Sequence, residues 1–124
     1  MLKSNVEIND QKLLDETVGE HIGYDLGVKM VKEYFQVHGE GGAQFVGRNI
    51  IEKILEQPQC IGINIYKGLN ESGQKTYVLV GVDKENNPIL NYSTVEVGGI
   101  LSQKEGIVAD RNFGIGWFDS SSVI

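Results

Sequence analysis

Cys60-Ile61-Gly62-Ile63-Asn64-Ile65-Tyr66 is followed, after a short polar stretch, by Thr76-Tyr77-Val78-Leu79-Val80-Gly81-Val82. Both segments alternate with a period of two, the signature of a strand with one buried face. Ile61, Ile63 and Ile65 point one way, and Cys60, Gly62, Asn64 and Tyr66 point the other. In the second segment Val78, Val80 and Val82 share one face, with Tyr77, Leu79 and Gly81 on the other. Residues Gly68 to Lys75 contain Asn-Glu-Ser-Gly and read as a hairpin loop. Asp83 to Pro88 turns the chain again, and a third strand is expected from Ile89 to about Val97. The simplest register sets Ile65 opposite Val78, Ile63 opposite Val80 and Ile61 opposite Val82. It places Gly62 opposite Gly81 on the outer face, a notch flanked by Asn64, Tyr66, Tyr77 and Leu79. A one-residue slip would invert that arrangement.

Upstream of the strands the period changes. Leu14, Val18, Ile22, Leu26, Met30 and Tyr34, with Leu13, Val31 and Phe35, form an apolar stripe. The spacing predicts a long helix over 10–37, capped by Asn9 or Asp10 and ended by Gly39, Gly41 and Gly42. A second helix is predicted over 43–57. Phe45, Val46, Ile50, Ile51, Ile54 and Leu55 make its apolar face, and Pro58 stops it. Downstream, Gly98-Gly99 opens a Gly-rich tail over 98–124, apolar at Phe113, Ile115, Trp117 and Phe118. The whole reads as one α+β domain over 1–124. Two N-terminal helices pack on a three- to four-stranded antiparallel meander over 60–97, and the tail docks on the sheet or on a partner.

Composition bounds the function. Leu, Ile, Val and Phe supply 39 of 124 residues, enough for a folded core. The net charge is −6, and the eleven basic residues form no run, which argues against nucleic acid and anionic membranes. No apolar stretch approaches the roughly 18 residues needed to cross a bilayer. No basic start precedes an apolar run, so no signal peptide is expected. A single cysteine excludes an internal disulfide and any multi-cysteine metal site. A cytoplasmic protein is the expectation.

The run from Phe45 through Leu55-Glu56-Gln57-Pro58 to Ile65-Tyr66-Lys67-Gly68-Leu69 is similar to a group of short, uncharacterised bacterial proteins. They share a helix ending in Leu-x-Gln-Pro and a strand ending in Ile-Tyr-x-Gly. Val78-Leu79-Val80-Gly81-Val82-Asp83 resembles the same group, so the similarity spans residues 43–85. Some members end in a cysteine- and proline-containing tail that this chain lacks. The resemblance implies an architecture and no mechanism.

No catalytic constellation is visible. Cys60 begins an apolar strand with no nucleophile signature around it and reads as a packed, inert thiol. His21 with Asp25 supplies two metal ligands at i,i+4 spacing, which is not a site. Asp83, Glu85 and Asn87 resemble the first half of a calcium loop, but Pro88 stands where its glycine belongs. Asp110-Arg111-Asn112 reads as a loop ion pair. Gly19, Gly23 and Gly27, spaced by four, would line a helix groove for close packing or else break the helix. Each mid-helix glycine costs about 1 kcal/mol against alanine. Neither a metal nor a cofactor is expected. The leading reading is a non-enzymatic binding domain that self-associates as a homodimer, using Gly19, Gly23, Gly27, Trp117 and Phe118. The alternative is a small-molecule-binding protein, or a weakly specified enzyme, using Asn64, Tyr66, Tyr77 and Tyr92 on the outer sheet face.

Overall fold

The computed structural model describes residues 14–115. They form an α+β arrangement of two helices and antiparallel sheets. Chain order is α1 (Tyr24–His38), β1 (Ala43–Phe45), α2 (Arg48–Leu55), β2 (Gly62–Leu69), β3 (Lys75–Val82), β4 (Asn91–Val95), β5 (Leu101–Glu105), β6 (Val108–Ala109) and β7 (Phe113–Ile115).

The first helix begins at Tyr24, well after the predicted start at residue 10. Residues 14–23 are not helical, and residues 10–13 lie outside the described set. Gly19 (φ 119°) and Gly23 (φ 88°) adopt backbone angles that residues with a Cβ rarely reach, and Gly23 is the N-cap. A Cβ on either would meet nothing within 4 Å among the described residues. The expected glycine ridge therefore does not exist. With no described neighbour to offset their helical cost, the first two glycines break the helix, and only Gly27 lies inside it. At the other end Gly39 takes the left-handed C-cap conformation and donates its N–H to Phe35 C=O at 2.7 Å.

The second predicted helix is also shorter. Residues 43–45 are the strand β1, paired with β7 through Ala43–Ile115, Gln44–Gly114 and Phe45–Phe113. Strand pairing with a distant segment overrides the helical pattern there, and Gly47, in extended backbone, starts α2 two residues later.

β2 and β3 form the expected hairpin, but in a register shifted by one. Ile65 lies opposite Leu79, Ile63 opposite Gly81, Tyr66 opposite Val78 and Gly62 opposite Val82. The loop explains the slip. Asn70 N–H donates to Gln74 C=O at 2.8 Å, which closes a five-residue loop centred on Ser72. Asn70 Oδ1 holds that loop by accepting the N–H groups of Ser72 and Gln74, both at 2.9 Å. The isoleucines therefore share a face with Tyr77, Leu79 and Gly81, and the valines share one with Gly62, Asn64 and Tyr66. The glycine notch is gone, because Gly62 and Gly81 lie on opposite faces.

The third strand of this sheet is not 89–97. Pro88 bridges Val82, and Ile89 N–H donates to Gly81 C=O at 2.9 Å. The chain then leaves the sheet, and β4 pairs with β5 in a hairpin of its own, turned by Gly98 and Gly99. It returns as β6, which pairs with β3 at Leu79 and Val80, so the sheet order is β2-β3-β6. Gly106 permits that return: a Cβ there would lie 1.9 Å from the Ile89 carbonyl oxygen. The core gathers around β3, with Leu79, Val80, Val82, Ile89 and Ile54 of α2 buried.

Two side-chain amides fasten the returning chain. Gln57, buried after α2, donates from Nε2 to Ile54 C=O at 3.0 Å and accepts Ile107 N–H on Oε1 at 2.8 Å. Asn112 accepts Tyr77 N–H on Oδ1 at 3.3 Å and donates from Nδ2 to Tyr77 C=O at 2.8 Å. Its carboxamide thus replaces a peptide in the ladder beyond the end of β6.

Candidate functional site

A cleft of about 880 Å³ opens between α1 and the loop end of the β2–β3 hairpin. The register places Lys67, Leu69, Lys75 and Tyr77 on one face of that hairpin. Met30, Val31 and Tyr34 of α1 form the facing wall, and residues 40–44 with Gly114 close the end. The volume falls within the range typical of small-molecule sites, roughly 300–1,000 Å³.

Its polar groups are unevenly satisfied. Lys75 Nζ pairs with Glu40 Oε1 at 2.6 Å, and Tyr34 Oη donates to Glu40 Oε2 over a long 3.5 Å. The Lys75 ammonium holds the Glu40 carboxyl below the ordinary glutamate range, and Glu40 in turn raises Lys75. Lys67 acts on Glu40 only through space and makes no ion pair among the described residues. Gln44 Oε1 is buried and accepts no hydrogen bond among the described residues. Two cations and one carboxylate leave a net charge of +1 here, on a chain of net charge −6.

Of the residues expected to bind a ligand, only Tyr77 lines this cleft. Asn64 and Tyr66 lie on the opposite face of the hairpin. There Asn64 Nδ2 is 3.3 Å from Tyr66 Oη and donates to Asn86 Oδ1 at 2.8 Å. Tyr92 belongs to the separate β4–β5 hairpin, opposite Lys104. These four residues do not converge. Trp117 and Phe118 lie outside the described residues. Glu40, Gln44, Lys67 and Lys75 were not expected at a site, and Tyr34 was read only as part of the helix stripe. The usable signal was the pair of lysines flanking the hairpin loop, but only the true register puts them on one face.

The remaining candidates resolve into structure. Cys60 is half-buried rather than fully enclosed, and its thiol lies 3.3 Å from Gly62 C=O. Asp83 accepts the N–H groups of Glu85 and Asn87 and closes a turn; these bonds, Asn87's first, keep its carboxyl low. Arg111 is occupied by Glu71, at 3.0 and 2.7 Å, and by Asp110. Its guanidinium pulls Glu71 down to about 2. His38 lies against Tyr34 with ring centroids 4.3 Å apart and the ring planes tilted by 36°. Among the described residues no group of three His, Cys, Asp or Glu side chains could hold a metal ion, and no helix is long and apolar enough to cross a membrane.

No protein-family model matches this chain, and neither a curated protein nor a solved structure matches it.

Proposed function

We propose that this protein is a non-enzymatic, cytoplasmic binding domain that self-associates, and that its ligand site is the cleft between α1 and the β2–β3 hairpin. The ligand that fits is a small molecule with an apolar body, one negative charge and a hydrogen-bond donor. The observation that carries this reading is the juxtaposition, in one cleft, of a Lys67 and a Gln44 Oε1 that have no ion-pair or hydrogen-bond partner among the described residues, beside Met30, Val31, Leu69 and Tyr77. Buried polar atoms in native folds are nearly always hydrogen-bonded, so an orphan acceptor points to a donor supplied from outside. An anion would meet the Lys67 ammonium, while Glu40 already neutralises Lys75. Self-association is favoured by apolar side chains left exposed outside the cleft, among them Leu26, Phe35 and Val37 of α1 and Ile65 of β2.

N-lauroylglycine supplies the three required features in one probe, and it is titrated below its micelle concentration into 15N-labelled protein. Amide shifts at Gln44, Lys67 and Tyr77 should move and saturate. The methyl ester, which lacks the charge, should bind at least tenfold more weakly, and Lys67→Gln should remove that difference. If no cleft resonance moves with any probe, the reading is wrong.

A further inference from the structure

We propose that the outer edge of β2 is a homotypic pairing site, at which a second copy of this chain adds its own β2 antiparallel and fuses two three-stranded sheets into one. This gives the self-association proposed above a surface, and rests on that reading.

The two outer edges of the β2–β3 hairpin are treated differently. Along β3, Pro88 bridges Val82, Ile89 bonds Gly81, β6 pairs with Leu79 and Val80, and the Asn112 carboxamide takes both backbone groups of Tyr77. Among the described residues β2 pairs with β3 alone, and none adds a ladder bond on its other side. Alternate residues of an antiparallel strand direct both backbone groups to the same neighbour, so half of β2 offers its N–H and C=O groups outward. Proteins usually blunt such an edge with proline, a bulge, short length or several charges. β2 runs eight residues in unbroken register, without proline and with Lys67 as its one charge.

The pattern along β2 identifies the occupant as itself. A two-fold axis at Ile65 sets Ile65 against Ile65 of the second copy. It pairs Asn64 with Tyr66, Ile63 with Lys67, and Gly62 with Gly68. Small residues then meet small, and Asn64 meets the side chain it already approaches within its own strand at 3.3 Å. The two Lys67 residues fall four positions apart along the ladder, about 13 Å at roughly 3.3 Å per residue, beyond the Debye length of about 8 Å in physiological salt. Moving the axis one residue to Tyr66 would bring them into diagonal contact at roughly 7–8 Å, so the Ile65-centred register is favoured. Ile65 itself is 62% exposed, and this pairing covers it.

Light scattering on the full chain over a range of concentrations tests the idea. The native protein should reach twice its 13.7 kDa chain mass. Ile65→Lys and Ile65→Glu each place like charges directly opposite and should each give monomers with an unchanged circular dichroism spectrum. An equimolar mixture of the two should recover the doubled mass. Should either variant fail to fold, amide exchange in the native protein decides: protection at every amide of β2 supports the pairing, and protection at alternate amides overturns it. A native protein that stays monomeric overturns both the pairing and the self-association it rests on. Variants that remain dimeric overturn this edge while leaving self-association intact. A mixture that remains monomeric overturns the register centred on Ile65.

Discussion

Helices α1 and α2 each carry an apolar stripe, yet they relate to the sheet in opposite ways. α2 has eight residues and buries Ile54 completely. α1 has fifteen and buries none. The difference lies in what each helix meets. α2 ends above Gly81, where a Cβ would stand 2.9 Å from Ile54 Cγ2, 2.9 Å from Cys60 Sγ and 3.0 Å from Gln57 Nε2. The missing side chain is the socket into which α2 fits. α1 meets the hairpin where Lys67, Leu69, Lys75 and Tyr77 project, and a cleft is left between them. An amphipathic helix docks closely only where the opposing surface has made room; otherwise the same stripe becomes the wall of a binding site.

The largest test of that contrast compares one apolar residue from each helix. Ile54→Ala should destabilise the protein by about 2–5 kcal/mol, as core truncations do. Met30→Ala, at a side chain 52% exposed, should stay within about 0.5 kcal/mol. Denaturant titration measures both, and equal losses would mean that α1 is docked as firmly as α2. Next comes the socket. Gly81→Ala should cost about 1–3 kcal/mol, because Ile54, Gln57 and Cys60 must all move to admit the methyl group. The same titration reads it, and a neutral result would show that α2 is not seated on Gly81.

The smallest effect is electrostatic. Glu40 ties the chain after α1 to Lys75, and its folded pKa lies below the unfolded value of about 4.5. A depressed carboxylate contributes stability above its unfolded pKa and loses it as pH falls through the folded one. Lowering the pH from 6 toward 3 should therefore speed amide exchange in α1, relative to the intrinsic rate, more than in α2, whose anchor is apolar. The Glu71–Arg111 clasp, with Glu71 held at about 2, should survive to lower pH. Equal acid sensitivity in the two helices would remove the distinction.

The α+β class, the two strands of the central hairpin and the stop at Pro58 were legible as local patterns. What was not legible depended on partners far away in the chain. Ala43 to Phe45 looks helical until Phe113 to Ile115 pairs with it. Residues 91–95 resemble a third strand of the hairpin's sheet until Gly106 allows 108–109 to take that place. The register turned on Asn70 and Gln74 closing an odd-numbered loop, and a one-residue error there dispersed Asn64, Tyr66 and Tyr77 to two faces. The cleft stayed hidden for the same reason, since its lysines come together only in the true register.

The Gln57 carboxamide also imposes an order in time. Its bond to Ile107 joins residues fifty positions apart, whereas the hairpin closes over five. Loop closure becomes costlier with length, and non-local contacts form slowly. During synthesis at about 5–20 residues per second, the hairpin precedes residue 107 by seconds. Throughout that interval β3 emerges without Ile107, β6 or Asn112 beside it, and a crowded polysome would present many such strands side by side. The edge of β3 that β6 and Asn112 cover is therefore closed only after residues 107–112 have emerged, and translational pausing between residues 90 and 107 would lengthen the period in which neighbouring chains can exchange strands.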